Sequence, residues 1–126
     1  MNINNSESTK SGTILVIEDN KEIQSSIQDA LVDSGYNVFT ADNGKEGLLI
    51  LSQMPPPCLI LLDLMMPLMN GWEFIEEINK NIIYSNIPIV VVSALGNKSG
   101  ISDNHAYLEK PIDLDCLLQT VAKHCG

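Results

Sequence analysis

LILLDLMMP, residues 59–67, runs four apolar residues into Asp63 and then returns to apolar residues. A short run that is apolar at every position reads as a strand buried on both faces, the kind found in parallel sheets. An ionised carboxylate inside such a strand would be costly to desolvate. Asp63 is therefore expected at the rim, where the buried strand surfaces, and not inside the core.

The same pattern recurs on either side. TILVIE (13–18), YNVFTA (36–41), CLILLD (58–63), IPIVVVSA (87–94) and the short AYL (106–108) read as strands. Helical spacing fills the gaps between them. Ile23, Ile27, Ala30 and Leu31 form one face of a first helix, which Asn20 can cap and Gly35 can stop. GKEGLLILSQM is a second helix, closed by Pro55-Pro56-Pro57. A third runs from Gly71 to about Asn81 with Ile75, Ile78 and Ile82 expected inward. DLDCLLQTVAKHC closes the chain as a helix, with Leu114, Leu117, Leu118 and Val121 as its stripe. Strand alternating with helix implies a parallel sheet covered on both sides, an α/β doubly wound fold. One segment breaks the rhythm: LGNKSGISDNH (95–105) has little apolar periodicity where a helix is due, so the fourth helix is expected to be shortened or missing.

At 126 residues the chain is one domain's worth, with residues 1–11 a polar tail and 12–126 the folded unit. No run approaches the length of a bilayer span, and the N-terminus has no basic-then-apolar leader, so no membrane insertion is expected. A net charge of −9 argues against gripping nucleic acid by bulk electrostatics. Cys58, Cys116 and Cys125 are an odd set without CxxC spacing, which argues against a disulfide framework or a zinc site. Free, inert thiols point to the cytoplasm.

In an open parallel α/β sheet, ligands bind beyond the carboxyl ends of the strands. Glu18-Asp19 end the first strand, Asp63 the third and Ser93 the fourth, while Lys110-Pro111 follow the fifth. Singly each residue is ordinary: an acidic pair near a helix start, a strand-end acid, a hydroxyl filler, a solvated lysine. Together, acids that repel one another invite a divalent cation, and hard oxygen ligands favour Mg²⁺. A carboxylate beside such a cation can act as a nucleophile toward phosphorus, with Lys110 balancing phosphoryl charge and Ser93 donating a hydrogen bond.

These residues resemble the receiver domain of bacterial two-component response regulators, over about residues 12–125. VIEDN carries the acidic pair, ADNGKEGL the glycine pattern entering the second helix, and LILLDLMMPLMNGWE the phosphoacceptor strand and loop. VVVSA carries the hydroxyl, and AYLEKP an aromatic, a lysine and a proline. The resemblance implies a flavodoxin-like five-stranded parallel sheet of order 2-1-3-4-5. It implies Asp63 as phosphoacceptor in a two-component system or phosphorelay, fed by a histidine kinase or histidine phosphotransfer protein. It further implies Mg²⁺ held by Asp19 and Asp63 directly, Glu18 through water and the Met65 backbone carbonyl. Lys110, with a cis bond to Pro111, would contact the phosphoryl group; Ser93 and Tyr107 would act as the switch. Such a domain assists its own phosphorylation and dephosphorylation without being a turnover enzyme. The chain would be a stand-alone regulator or a receiver cut from a larger protein, passing its state to a downstream protein the sequence does not name.

Two departures stand out. The Ser93-to-Lys110 interval is short by more than a helical turn, and Asn70 replaces the acid often found before Gly71. The first leaves a second reading open: a pseudo-receiver that binds proteins without needing phosphate. A hydrolase with an aspartate nucleophile is disfavoured, because the acid it would carry two residues later is Met65 here.

Overall fold

Alternation in the sequence becomes alternation in space. The computed structural model describes residues 12–94 and 106–125. In chain order the elements are β1 (Thr13–Ile17), α1 (Lys21–Asp33), β2 (Asn37–Ala41), α2 (Gly44–Ser52), β3 (Leu59–Asp63), α3 (Gly71–Asn79), β4 (Ile89–Ser93), β5 (Ala106–Glu109) and α4 (Leu114–Cys125). The five strands are all parallel and ordered β2-β1-β3-β4-β5, the expected doubly wound topology. The described residues contain four helices. The shortened fourth helix was expected at residues 95–105, which lie outside the described residues, as do the 1–11 tail and His105.

Strand alternation divides the core into two layers. Leu15, Ile17, Ile60, Leu62 and Val91 face α2 and α3, where Leu51, Phe74 and Ile78 meet them. Ile14, Val16, Leu59, Leu61, Val90 and Val92 face α1 and α4, where Ile27, Leu31, Leu117 and Val121 meet them. Side chains two apart on a strand share a face, so every position of β3 and β4 is buried. The helices begin where capping chemistry allows. The Asn20 side chain accepts from the Ile23 N–H at the start of α1. At α3, Asn70 accepts from the Glu73 N–H while Glu73 accepts from the Asn70 N–H, a complete capping box. Asn70 thus serves the helix start in place of an acid. Gly35 takes φ 98° after α1, the left-handed stop expected of it.

Three sequence expectations need correction. Ile82 does not face inward: α3 ends at Asn79, and Ile82 is 86% exposed in the turns that follow, while Phe74 takes the buried place. Leu114 opens α4 with 42% of its surface exposed, because the apolar stripe engages the sheet only from Leu117 onward. Cys58 and Cys125 are joined in a disulfide, leaving Cys116 as the free, exposed cysteine. These partners are 67 residues apart, a separation without any local spacing signal. They meet because β3 starts, and α4 ends, at the floor of the sheet. The free-thiol argument for a reducing compartment therefore loses its premise. Among the described residues, no helix is long and apolar enough to cross a membrane.

Candidate functional site

Parallel register brings the strand ends to one edge. Ile17 pairs with Leu62, so the next step up β1, Glu18, lies level with Asp63. Asp63 pairs with Val92, and Ser93 with Glu109, setting Lys110 beside the end of β4. The Lys110 N–H donates to the Ser93 carbonyl at 2.8 Å. The Lys110–Pro111 peptide is cis, as the resemblance implied.

Asp63 is not at an open rim. It is 3% exposed and Glu18 is 2% exposed, and Leu64, the next residue along from Asp63, is itself fully buried. Two carboxylates are thus nearly closed to water. Lys110 Nζ compensates them, lying 3.1 Å from Glu18 Oε1 and 3.4 Å from Asp63 Oδ1. The ammonium donates a hydrogen bond to Glu18 Oε2 at 3.4 Å; its approach to Oε1 is an ion-pair contact without hydrogen-bond alignment. Among the described residues, Glu18 Oε1 accordingly remains a buried oxygen with no hydrogen-bond partner. Oxygens of Glu18, Asp19 and Asp63 all lie within 4.8 Å of one another, with Asp19 exposed at the mouth.

The electrostatic consequence falls on Asp63. Burial first, and the Glu18 charge second, push its pKa up from 3.8 to about 7. Lys110 and the Met65 N–H, which donates to Asp63 Oδ1 at 3.3 Å, pull the other way. Burial disfavours the charged form of Lys110, but the Asp63 and Glu18 carboxylates outweigh it and hold the ammonium above its usual range. An orphaned buried oxygen, clustered carboxylates and a strand-end acid pushed toward protonation fit a hard divalent cation bound by Glu18, Asp19 and Asp63.

Among the other candidate residues, Ser93 is fully buried at the end of β4. Tyr107 is half-buried on β5, packs against the core layer that faces α2 and α3, and donates its hydroxyl to the Ala94 carbonyl at 2.9 Å. Met65 is exposed beside Asp63. Gly71 explains how α3 reaches the site: its N–H donates to the Leu64 carbonyl at 2.9 Å, and a Cβ there would lie 2.7 Å from the Asp63 carbonyl oxygen.

Sequence reasoning missed Gln24. Its buried amide donates to the Glu18 carbonyl at 2.8 Å, the Ala41 carbonyl at 3.1 Å and Asp42 Oδ1 at 3.1 Å, pinning the chain where it leaves β1. The signal was present, since Gln24 shares a helical face with Ile27 and Leu31 at i+3 and i+7.

A doubly wound parallel sheet with an acid cluster where its strand order reverses defines a flavodoxin-like α/β domain with an acidic crevice. Within that class, the chain belongs to the response regulator receiver domains: residues 14–122 match the family described as "Response regulator receiver domain". It is 35% identical over 113 residues to the probable transcriptional regulator ycf29 of Pyropia yezoensis, a match covering 86% of this chain and 50% of that protein. The chain spans half or less of the curated relatives it matches first, including 32% of ycf27 from the same organism. Among solved structures, it superposes on the Vibrio cholerae chemotaxis protein CheY4 with TM-score 0.81 and 26% identity, covering 90% of this chain and 98% of that one. The Mn²⁺-bound form of response regulator Rcp1 matches with TM-score 0.72 and 30% identity, over 89% of this chain and 90% of that one.

Proposed function

We propose that Asp63 is the phosphoacceptor of this receiver domain. It would take a phosphoryl group from a phosphohistidine on a histidine kinase or histidine phosphotransfer protein, within a two-component system or phosphorelay. One observation carries this reading: at the carboxyl end of the central strand β3, Asp63 Oδ1 lies 3.4 Å from Lys110 Nζ, and an Asp63 carboxylate oxygen lies within 4.8 Å of oxygens of Glu18 and Asp19. The P–N bond of the donor breaks as a P–O bond to the Asp63 carboxylate forms, and the imidazole leaves.

Asp19 and Asp63 would hold Mg²⁺ by their carboxylates, Glu18 through water and Met65 through its backbone carbonyl. The related response regulator Rcp1 has a Mn²⁺-bound form, which supports binding of a divalent ion by this domain. Bound there, the cation would offset the cluster's negative charge and accept charge from the phosphoryl oxygens. Lys110 contributes a fixed ammonium, held charged by Asp63 and Glu18, that balances an arriving dianion. Its position depends on the N–H bond to the Ser93 carbonyl, so lysine and hydroxyl residue stay together. Ser93 would donate to the phosphoryl group. Tyr107, whose hydroxyl bonds to Ala94 directly after Ser93, would pass the shift of β4 to the outer surface.

We assign residues 12–126 to the receiver unit and residues 1–11 to a tail, and place the domain in the cytoplasm with an output made through protein contact. The test is incubation with Mg²⁺ and a small phosphodonor, followed by intact mass and site mapping. A single phosphoryl adduct on Asp63, absent in Asp63→Asn and absent when Mg²⁺ is chelated, is the expected result. Absence of any adduct on the unaltered protein would overturn the reading. Signalling unchanged in Asp63→Asn would instead establish the phosphate-independent module.

A further inference from the structure

We propose that the Cys58–Cys125 disulfide is a reducible staple, which fastens or releases the C-terminal helix according to thiol redox state. The bond joins the residue just before the central strand β3 to the last residue of α4. It lies at the floor of the sheet, opposite the acidic cluster. Three anchors hold α4. At its start, Lys110 is tied to β4 and to the acid cluster, and Asp113 caps the first turn by accepting from the Asp115 and Cys116 N–H groups. In its middle, Leu117 and Val121 are fully buried. Beyond Val121 the side chains of Ala122, Lys123 and His124 are exposed, so the disulfide is what secures the final turn. Gly12 makes room for it: a Cβ there would lie 2.8 Å from Cys58 Sγ.

Both cysteines are half-buried at the edge of the core and not sealed within it. A thiolate attacks one sulfur to give a mixed disulfide, and a second thiol resolves it. Two electrons and two protons pass to the protein, Cys58 and Cys125 end as thiols, and the small thiol ends as its own disulfide. In a reducing compartment such a bond is transient and reports redox state; in an oxidising one it is permanent. Closing a span of 67 residues restricts the unfolded chain strongly. Opening it should therefore lower Tm by roughly 10 °C or more.

The experiment uses the full chain carrying Cys116→Ser, so that only the paired cysteines remain, equilibrated with oxidised glutathione and then with excess dithiothreitol. Alkylation and intact mass should show no modified thiol in the first state and two in the second. Tm should fall on reduction, and amide exchange over residues 121–125 should quicken at least tenfold relative to β3. A Cys58→Ala, Cys116→Ser variant, whose α4 already lacks the bond, should show the reduced-state Tm with no response to reductant. Two free thiols after oxidation, or a reduction that leaves Tm and exchange unmoved, would overturn the proposal. So would an equal Tm response to reductant in the variant lacking Cys58. None of these readouts involves phosphorylation, so this inference and the proposed function fail separately.

Discussion

Lys110 Nζ sits 3.1 Å from a Glu18 oxygen and 3.4 Å from an Asp63 oxygen, while its own side chain is 22% exposed. Removing that ammonium leaves two nearly water-free carboxylates facing each other, and breaking a buried pair costs more than the pair contributes to stability. Lys110→Met should lose about 2 kcal/mol at pH 8 by urea denaturation, and less at pH 5, where Asp63 is mostly protonated in the folded state. Equal losses at both pH values would contradict the electrostatic account. Leu68 poses a different problem. It holds φ 67° in the loop between β3 and α3, a left-handed conformation that its Cβ disfavours. Its side chain is 77% exposed, so it has little burial to lose. Leu68→Gly should raise stability by up to about 1 kcal/mol, since relief of the Cβ clash exceeds the entropy glycine adds to the unfolded chain. A drop in the urea midpoint would show that Leu68 makes contacts worth more than the strain.

Helix α3 must start hard against the end of β3 for its capping box to form beside the site. Gly71 permits this, because a Cβ would meet the Asp63 carbonyl oxygen and Leu64 Cα, both at 2.7 Å. These are backbone atoms, which cannot swing aside as a long side chain could. Gly71→Ala should therefore cost about 2 kcal/mol and lower phosphoryl uptake at Asp63, whereas Asn70→Ala, which removes the cap alone, should cost about 1 kcal/mol. Equal costs would mean that the glycine is not needed for close approach. The element scale is also where the sequence reads best. Buried strands announce themselves by unbroken apolar runs, and their alternation with helices fixes a parallel sheet whose carboxyl edge gathers Glu18, Asp19, Asp63, Ser93 and Lys110. Periodicity fails where a helix stops. Ile82 continues the α3 stripe in sequence, yet the backbone leaves the helix at Asn79 and sends Ile82 into solvent. Asp63's burial was illegible for a related reason: what closes over a strand end depends on where the following loop lies, which the periodicity of the strand does not record. The Cys58–Cys125 bond depends on two floor positions meeting across β3, α3, β4, β5 and α4, which no local spacing records.

For the whole molecule, the acid cluster makes stability depend on pH in a direction opposite to an ordinary salt-bridged carboxylate. Asp63 titrates near 7 when folded and near 3.8 when unfolded. Between these values the folded state holds the extra proton, so stability falls as pH rises from about 4 to about 7 and then levels. Asp42 works the other way: its hydrogen bonds to Lys21 and Gln24 hold its pKa below 3.8, so its contribution is full above that value and is lost only in stronger acid. The two windows do not overlap, so of these two carboxylates only Asp63 acts between pH 5 and 7. In the presence of a chelator, the urea midpoint should decline across that interval and flatten above pH 7. Asp63→Asn, which replaces the titrating carboxyl by a neutral amide, should flatten the curve and raise the midpoint at pH 8. Mg²⁺ should do the same for the unaltered chain, adding about 1.4 kcal/mol at ten times its dissociation constant and nothing in acid. A cation bound elsewhere would stabilise both proteins alike. One bound by Glu18, Asp19 and Asp63 stabilises the unaltered protein above pH 7 and leaves Asp63→Asn nearly untouched, so the difference between the two curves measures how far fold stability is coupled to the state of a single strand-end carboxylate.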